Sequence, residues 1–482
     1  MAYKDLREFI AALEKAGELV RIKERVSPRL EITEITDRVS KKLGPALLFE
    51  NVEGSDIPLA INLLGTPKRM KLALQIEGYE EWTERLDFFL EPRMPSGIID
   101  KLKMLPSLGE LTSVFPKIVS AAPCQEIVLK GDDVDLTKLP IITCWPDDGG
   151  PFITMPLVFT KDPNSGKRNC GMYRMQVYNR NTTGMHWQLH KDAARQHHDA
   201  ETANLTEIPV SVAIGSDPIT VFSSICPLPP DLDEMMFAGF ARNDAVRMVK
   251  CITNDIEVPA NAEIVLEGYV DTAERRPEGP FGDHTGYYTP QEPYPVFHVR
   301  AITMRSKPIY MTTIVGKPPQ EDAHIGFAIE RMFLPIMKKQ FPEIVDVHMP
   351  PDGVFHNLMI ISIKKRYPGQ ARKIMHGIWG LGQAMFTKVI VVVDAHVDPH
   401  DLPTVAWYAL NNIDPERDTE TVLGPIDVLD HSSRAFGYGS HMGIDGTRKL
   451  PAEGFNRVWP EEIEMSAEVR KKIDSIWSKL GL

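Results

Sequence analysis

The sequence predicts a mixed α/β (α+β) protein with three consecutive parts and a terminal helix. Three observations support this prediction: helical spacing beside short strands near the start, short β-rich runs in the middle, and alternating helices and strands afterwards. A chain of 482 residues is also too long for one ordinary core. We predict an N-terminal α/β domain over 1–115, a central β-rich domain over 116–308, a C-terminal α/β domain over 309–455 and a helical segment over 456–482.

The first part opens with an amphipathic helix. Apolar side chains recur at i, i+3, i+4 and i+7, Asp5 precedes them as a cap, and Gly17 follows as a stop. A second helix begins near Glu31. The predicted strands here are Leu19 to Ile22 and the fully apolar Ala46 to Phe49.

The central part consists of short β-rich runs separated by turn residues, a pattern typical of an antiparallel sheet or barrel. One helix is predicted within it, from Leu232 to Ala241. The predicted strand runs are Phe152 to Phe159, Met172 to Tyr178, Val210 to Ile214, Ile264 to Val270 and Val296 to Met304.

The third part alternates helices with strands, which predicts a parallel α/β domain. Its elements are a helix from Ala323 to Gln340, a strand from Leu358 to Ile363, a helix from Ala371 to Trp379 and a strand from Val389 to Val393. The last helix carries an apolar stripe that includes Val469 and Trp477. That stripe packs either on its own chain or on a neighbouring subunit.

Composition excludes several classes of function. The net charge is −12, and no basic block is present, which argues against a nucleic-acid or anionic-membrane surface. Residues 1–15 lack the apolar core of a signal peptide. The five cysteines form no CxxC pair, which fits reduced thiols in a cytoplasmic protein.

The segment from Pro277 to Gly286 is the most informative feature for function. It contains Glu278, Asp283 and His284 among three glycines and two prolines, so it predicts a shaped loop. Two acids fixed beside the apolar Phe281 suit proton transfer, because burial separates carboxylate pKa values. The alternative is a calcium-type or purely structural acidic turn. The upstream segment Asn169 to Arg174 supplies a cation that can pair with the acids.

Two histidines at i and i+4, His186 and His190, have the spacing of a shared metal site. The glutamate of the HExxH motif is missing, which disfavours zinc. A single histidine with ligands from elsewhere fits better, and Asn169, His190 and Glu234 form a hard set suited to Mn²⁺ or Mg²⁺. Lys388, just before an aliphatic strand, is either a flanking charge or a phosphate contact.

With these motifs in view, the chain resembles the UbiD family of prenylated-FMN-dependent (de)carboxylases over nearly its whole length. The 4-hydroxy-3-polyprenylbenzoate decarboxylase branch is the most similar, on Thr143 to Pro146 and Ser440 to Asp445. The other segments that carry the resemblance are Tyr3 to Phe9, Pro45 to Asn51, Gly65 to Arg69, Asn169 to Arg174, Val249 to Cys251, Glu263 to Gly268 and Pro277 to Gly286.

The resemblance implies roles for individual residues. Arg174, Glu278 and Asp283 resemble the catalytic Glu–Arg–acid network, although many relatives carry glutamate where this chain has Asp283. Asn169, His190 and Glu234 resemble ligands of Mn²⁺ (or Mg²⁺), with K⁺ nearby. The implied flavin contacts are Met172, Tyr173, Arg174, His186, Trp187, Gln188, Lys191, Asp192 and Lys388.

The resemblance also implies a central split β-barrel of the flavin-reductase type and non-oxidative decarboxylation of an aromatic acid in quinone biosynthesis. Asp283 is then the expected proton donor, which requires its pKa to rise towards working pH. Implied partners are a flavin prenyltransferase and further copies of the chain, as a homodimer or homohexamer. Peripheral membrane association is implied if the substrate is polyprenylated.

Alternatives remain open on the sequence. Other branches take hydroxybenzoate, protocatechuate, furan, phenazine or cinnamate acids. A metal-dependent hydrolase that uses His190 and Glu234 would need no flavin, and a non-catalytic flavin-binding subunit would need no acid network.

Overall fold

Helix α1 (Leu6–Lys15) begins where the sequence predicts, and Asp5 caps it by accepting a hydrogen bond from the Glu8 N–H. This computed structural model describes residues 2–82, 114–188, 192–228 and 232–481. The other elements of the first part are β1 (Leu19–Ile22), α2 (Glu31–Ser40), β2 (Ala46–Phe49), β3 (Leu59–Ile61) and α3 (Pro67–Leu74).

The central part is mostly β-structure, as predicted. Its first elements are β4 (Lys117–Val119), β5 (Ile127–Lys130), β6 (Phe152–Ile153), β7 (Leu157–Lys161), β8 (Arg168–Met172), β9 (Met175–Gln176), β10 (Thr182–Gly184) and α4 (Asp192–Thr202). The remaining ones are β11 (Glu207–Ile214), α5 (Pro218–Ser223), α6 (Glu234–Arg242), β12 (Arg247–Lys250), β13 (Glu257–Pro259), β14 (Ile264–Glu278), β15 (Phe281–Gly282), β16 (Tyr288–Thr289), β17 (Glu292–Met304) and β18 (Tyr310–Met311).

The third part alternates helices and strands. Its elements are α7 (Glu321–Gln340), β19 (Ile344–His348), β20 (Leu358–Ile363), α8 (Gln370–Trp379), β21 (Val389–Asp394), α9 (Leu402–Asn412), α10 (Pro415–Asp418), β22 (Thr419–Pro425), β23 (Tyr438–Asp445) and α11 (Ala467–Ile476).

The main central sheet has the strand order β10-β17-β14-β11-β7-β8, with β5 also paired to β17. The paired strands are antiparallel, which confirms the predicted arrangement. β10 and β8 end the path without pairing to each other, so the described strands form an open sheet and not a closed barrel. The mixed α+β fold class is confirmed.

Two predicted strand boundaries were wrong. The run Phe152 to Phe159 is divided into β6 and β7, and Met172 to Tyr178 comprises the end of β8 followed by β9. The segment from Pro277 to Gly286 is only partly a loop, because β14 continues through Glu278 and β15 pairs with β16. The prolines and glycines do not prevent strand pairing here, because both residues are tolerated at the end of a strand or where a strand pairs on only one side.

The first and central parts share their cores. β18 pairs with β3 in the amino-terminal sheet β1-β2-β3-β18, although the sequence placed Tyr310 just inside the C-terminal domain. One buried cluster joins Leu6 and Phe9 of α1 to Phe159 of β7, and a second joins Phe49 of β2 to Val212 of β11. These shared cores fix the central sheet against the amino-terminal part.

The carboxy-terminal sheet has the order β19-β20-β21-β23-β22, with parallel pairing of β20, β21 and β23. Helix α8 packs on one face through Ile374 and Ile378, and α9 packs on the other through Val405 and Tyr408. This is the predicted parallel α/β arrangement with antiparallel edge strands. None of the described helices is both long and apolar enough to cross a membrane.

Candidate active site

Arg174, Glu278 and Asp283 converge at one end of the central sheet. Arg174 lies between β8 and β9, Glu278 is the last residue of β14, and Asp283 follows β15 directly. Arg174 is 104 positions before Glu278 and 109 before Asp283 in sequence, and the antiparallel sheet brings it to both acids. The predicted pairing of the cation with both acids is present.

The Arg174 guanidinium is held on several sides. Its Nε donates to Oε1 of Glu278 at 3.1 Å, and its Nη1 pairs with Oδ2 of Asp283. Its Nη2 donates to the Thr289 hydroxyl at 3.1 Å, and the Phe281 ring lies 4.5 Å from the guanidinium carbon. Phe281 therefore stacks on the arginine, a contact worth about 0.5–2 kcal/mol.

Both carboxylates are buried, with side-chain exposures of 0% for Glu278 and 8% for Asp283. Burial raises the pKa of each, but Arg174 outweighs it with help from His186 at Glu278 and from His284 at Asp283. The pKa of Asp283 therefore lies well below its ordinary range. The expected rise towards working pH is wrong for this state, because the paired cation stabilises the anion more than burial destabilises it.

His186 fixes the far side of Glu278. Its Nδ1 lies 2.7 Å from Oε2 of Glu278, whereas its Nε2 is buried with no hydrogen-bond partner among the described residues. Burial and the charge of Arg174 lower the pKa of His186 below its ordinary value despite the nearby Glu278. The ring is therefore neutral at pH 7, with Nδ1 carrying the proton and Nε2 offering a lone pair.

His284 extends the network behind Asp283. Its Nδ1 lies 2.9 Å from Oδ1 of Asp283, and its ring packs edge-on against His356 at 5.4 Å between centroids. Burial lowers the pKa of His284, but Asp283 and the more distant Asp322 and Asp427 raise it above its ordinary value overall. Burial raises the pKa of Asp322 to about 6. Proton-carrying groups thus lie directly behind the proposed donor.

A cavity of about 200 Å³ opens beside Arg174. Its volume is below the roughly 300–1,000 Å³ typical of sites for drug-sized ligands. Its lining residues combine apolar and polar side chains: Thr154, Met172, Tyr173, Arg174, His186, Gln188, Phe281, Asp283, His284, Val315 and Leu429. Five of the predicted flavin contacts, Met172, Tyr173, Arg174, His186 and Gln188, are among them.

A second cavity of about 320 Å³ is also lined by Asp283. Lys41, Trp145, Tyr287 and Lys317 contribute to its lining. Asp283 borders both cavities. A proton can therefore reach this carboxylate from the second cavity without passing through the one beside Arg174.

Trp145 and Asp148 support the segment that carries Asp283. Asp148 accepts backbone N–H bonds from Gly282, Cys144 and Trp145 at 2.8–3.0 Å. A Cβ on Gly282 would lie 2.2 Å from the Trp145 ring, so only glycine fits there. His284 was predicted in the proton-transfer loop, whereas Asp148 and Thr289 were not predicted from the sequence. Asp148 gave one signal: it follows the segment Thr143 to Pro146, which carried the resemblance.

The two described residues of the predicted metal set, Asn169 and Glu234, lie on adjoining elements. Asn169 is buried on β8, and Oε2 of Glu234, the first residue of α6, accepts the neighbouring Cys170 N–H at 2.9 Å. An amide oxygen and a carboxylate on adjoining elements fit a hard divalent cation. His190 and Lys191 lie outside the described residues, as does the side chain of Asp192.

Two predicted cofactor contacts are not brought to the cavity. Trp187 is buried in the second core cluster, with its ring 5.7 Å from that of His197. Lys388 precedes β21, and its Nζ pairs with Asp430 at 2.8 Å and with the Ser432 hydroxyl at 2.6 Å. An acid of its own domain therefore balances this lysine, and its phosphate role stays a prediction.

Three family models match consecutive parts of the chain. They are the amino-terminal, Rift-related and carboxy-terminal domains of 3-octaprenyl-4-hydroxybenzoate carboxy-lyase, over residues 10–87, 117–318 and 323–446. The fold and these matches define a carboxy-lyase, which replaces the metal-dependent hydrolase considered from the sequence. The chain belongs to the UbiD family.

Relatives and solved structures match over nearly full length. An uncharacterized protein of Archaeoglobus fulgidus is 52% identical over 100% of this chain and 99% of its own. The closed form of vanillic acid decarboxylase from Sedimentibacter hydroxybenzoicus has a TM-score of 0.88 at 28% identity, covering 99% of each chain. The UbiD-class enzyme HmfF from Pelotomaculum thermopropionicum, in complex with FMN, has a TM-score of 0.78 at 31% identity, covering 95% of this chain and 97% of its own.

Proposed function

We propose that this protein is a non-oxidative decarboxylase of an aromatic carboxylic acid that uses prenylated FMN. The observation that carries the proposal is the Arg174 guanidinium, paired with two buried carboxylates at the wall of a cavity. HmfF, which has been solved in complex with FMN and, as an evolved dimeric form, with prFMN, supports the choice of cofactor.

The residues present fit a flavin and a divalent cation. The buried Nε2 of His186 has no hydrogen-bond partner among the described residues, and His186 lines the cavity, where a flavin ring system offers polar edge atoms. Asn169 and Glu234, with His190, would hold Mn²⁺ (or Mg²⁺) at the cofactor phosphate, with K⁺ nearby. When bound, the modified flavin supplies an electron sink for the pair that decarboxylation leaves on an sp² carbon.

Arg174 orients the substrate. Its planar fork matches a carboxylate, and it is the one arginine or lysine among the described residues that line the cavity. A substrate carboxylate that binds there competes with Asp283 for the guanidinium. The pKa of Asp283 then rises, because burial persists while the balancing cation is shared. Asp283 becomes able to hold the proton that replaces CO₂.

His284 and the second cavity supply that proton. His284 has a raised pKa and lies 2.9 Å from Oδ1 of Asp283, so it can pass a proton to the carboxylate once Arg174 is engaged elsewhere. Glu278 and His186 keep Arg174 in place. The two acids therefore have different roles: Glu278 positions Arg174, and Asp283 transfers the proton.

Within the family we propose 4-hydroxy-3-polyprenylbenzoate, a precursor in quinone biosynthesis, as the substrate. The family models carry the description of a 3-octaprenyl-4-hydroxybenzoate carboxy-lyase. Hydroxybenzoate, protocatechuate, furan and phenazine acids are the competing substrates. We also propose a cytoplasmic protein that receives its cofactor from a flavin prenyltransferase and meets membranes only through a polyprenylated substrate.

The function is tested with purified protein reconstituted with prenylated FMN and Mn²⁺. CO₂ release is measured from a panel that includes 4-hydroxy-3-polyprenylbenzoate, its unprenylated parent and the competing acids. We expect release from at least one aromatic acid, fastest with the polyprenylated one. Flavin-loaded protein that releases CO₂ from none of them would contradict the proposal, and preference for another ring would correct only the substrate.

Glu278→Gln is expected to slow turnover at least roughly tenfold. Oε1 and Oε2 of Glu278 serve Arg174 and His186 respectively, and an amide must turn its NH₂ towards one of these donors. If the amide faces His186, the ring must accept at Nδ1 and carry its proton on Nε2. Histidine ¹⁵N spectra report that tautomer change. Glu274→Gln is the control, since Glu274 bonds His298 elsewhere; equal rates for the two variants would refute the role of Glu278.

We propose that the terminal helix α11 docks on a second copy of the chain. None of its residues is buried against the described part of its own chain, and Val469 and Trp477 are 40% and 53% exposed. Such an apolar face on a polar helix is typical of an intersubunit contact. This favours the homodimer or homohexamer over a monomer.

Trp477→Glu is expected to lower the fraction of protein in the oligomer, because a carboxylate in that contact would lose its hydration. Light scattering after size-exclusion chromatography measures the mass. Lys472→Glu, on the same helix, is the control for added negative charge. A Trp477→Glu protein with wild-type mass, or a monomeric wild type, would refute the docking proposal.

A further inference from the structure

Glu330, His348 and His400 form a cluster remote from the paired acids. Glu330 lies on α7, His348 ends β19, and His400 stands in the turn before α9. One potential ligand atom from each lies within 4.8 Å of the others. Within the described ranges, this is the one group of three histidine, cysteine or acidic residues with such geometry.

We propose that this cluster is a second metal site, which binds a divalent transition metal of the Zn²⁺ type. Two imidazoles and a carboxylate form a donor set that zinc favours. The set differs from Asn169, His190 and Glu234, which offer a single imidazole among hard oxygens. The proposal does not depend on the decarboxylase assignment.

The distances fit shared coordination. Nδ1 of His348 lies 3.1 Å from Oε2 and 3.5 Å from Oε1 of Glu330, and Nε2 of His400 lies 3.4 Å from Oδ2 of Asp346. An optimal N–H···O bond is about 2.9–3.0 Å long. Ligand atoms about 2.05 Å from a tetrahedral zinc are roughly 3.3 Å apart. The spacings of 3.1 and 3.5 Å between His348 and Glu330 are compatible with this second geometry, and Asp346 lies outside the three-residue cluster.

Charge also favours a cation. Glu330 and Asp346 are two acids, and Arg331 is the cation that pairs with both, at 2.8 Å each. The balance leaves one negative charge before any ion binds. The side chains of Glu330 and His348 are only 2% and 11% exposed, so water screens that charge poorly.

The surroundings prepare the ligands. The Met349 N–H donates to Oε2 of Glu330, which fixes the carboxylate. The Phe327 ring lies 6.3 Å from the His348 ring and 5.9 Å from the His400 ring and forms an apolar wall. The two histidine rings lie 4.2 Å apart, tilted by 40°. An ion here would cross-link α7 to the edge of the carboxy-terminal sheet.

Zinc binding to the full chain tests the proposal. The protein is stripped with a chelator and given excess Mn²⁺ to occupy hard oxygen sites, and Zn²⁺ is then titrated against a chromophoric competitor. We expect one zinc per chain, with affinity falling at least roughly tenfold in His348→Gln and in His400→Gln. His376→Gln, a half-exposed histidine that bonds Glu420, is the matched control and should bind as the wild type does.

X-ray absorption of the zinc-loaded wild type keeps the test decisive if a variant fails to fold. Two imidazoles per zinc would support the cluster, since the set at Asn169 and Glu234 offers only His190. One imidazole or none, or zinc affinity unchanged in the folded double variant His348→Gln/His400→Gln, would overturn it.

Discussion

Asp283→Asn is expected to lower decarboxylation by about 10²–10⁴-fold, the usual contribution of a positioned proton donor. Asparagine is nearly isosteric but carries no acid proton to deliver. Glu278 still pairs with Arg174 in this variant, so the cavity and its flavin should persist. CO₂ release measures the rate, and the visible absorption of the bound flavin measures occupancy.

Asp147→Asn is the matched control, because Asp147 is an exposed acid beside the same segment. It should retain wild-type activity. Asp283→Glu adds a further test, since it restores an acid with one more methylene. We expect partial recovery in that variant. An Asp283→Asn protein within tenfold of the wild-type rate, with normal flavin content, would remove Asp283 as the donor.

Arg174→Ala is expected to impair catalysis, flavin maturation and stability together. It leaves Glu278 and Asp283 buried without their shared cation, and breaking a buried pair of this kind costs about 3–5 kcal/mol. Arg174→Lys retains the charge but loses the fork, so it should recover stability better than activity. The thermal midpoint, CO₂ release and the flavin spectrum separate these effects.

The stability loss should depend on pH. In the wild type the pKa values of Glu278 and Asp283 are lowered, so their contribution is present above about pH 4 and is lost as pH falls through the folded values. Without Arg174, burial raises those pKa values, and the penalty grows as pH rises from the ordinary carboxyl pKa of about 4 to the raised folded values. The deficit of Arg174→Ala relative to wild type should therefore be largest at neutral pH and shrink towards pH 4.

The control for Arg174→Ala is Arg180→Ala, which removes a largely exposed arginine whose pair with Asp135 lies on the surface. Surface pairs contribute little, typically below about 1 kcal/mol. Comparable midpoints for the two variants at pH 7.5, or a deficit that does not change with pH, would show that the two acids do not depend on Arg174.

Local patterns in the sequence predicted much of the fold. The spacing of Leu6 and Phe9, with Asp5 as a cap, gave α1, and the aliphatic run from Val389 gave β21. Such elements follow from interactions between near neighbours. Local patterns did not predict that β14 continues through Pro277 and Glu278, because its pairing with the distant β17 outweighs the strand-breaking tendency of the nearby prolines and glycines.

The candidate site divides in the same way. The sequence named Arg174, Glu278 and Asp283, because their residue types and flanking motifs carry the chemistry. It gave the wrong direction for the pKa of Asp283, since it considered Phe281 as a desolvating neighbour of the acid. In the structure Phe281 stacks on Arg174, and the cation and His284 decide the charge of Asp283.

The sequence by itself determined the fold class, the position of most helices and strands, and which side chains can perform acid chemistry. Only the tertiary structure decided that Phe281 stacks on the guanidinium, that Asp283 borders two cavities, and that Glu330 meets His348 and His400. The physical reason is distance: capping and periodicity act over a few residues, whereas ion pairing and burial depend on groups that long-range strand pairing and packing bring together.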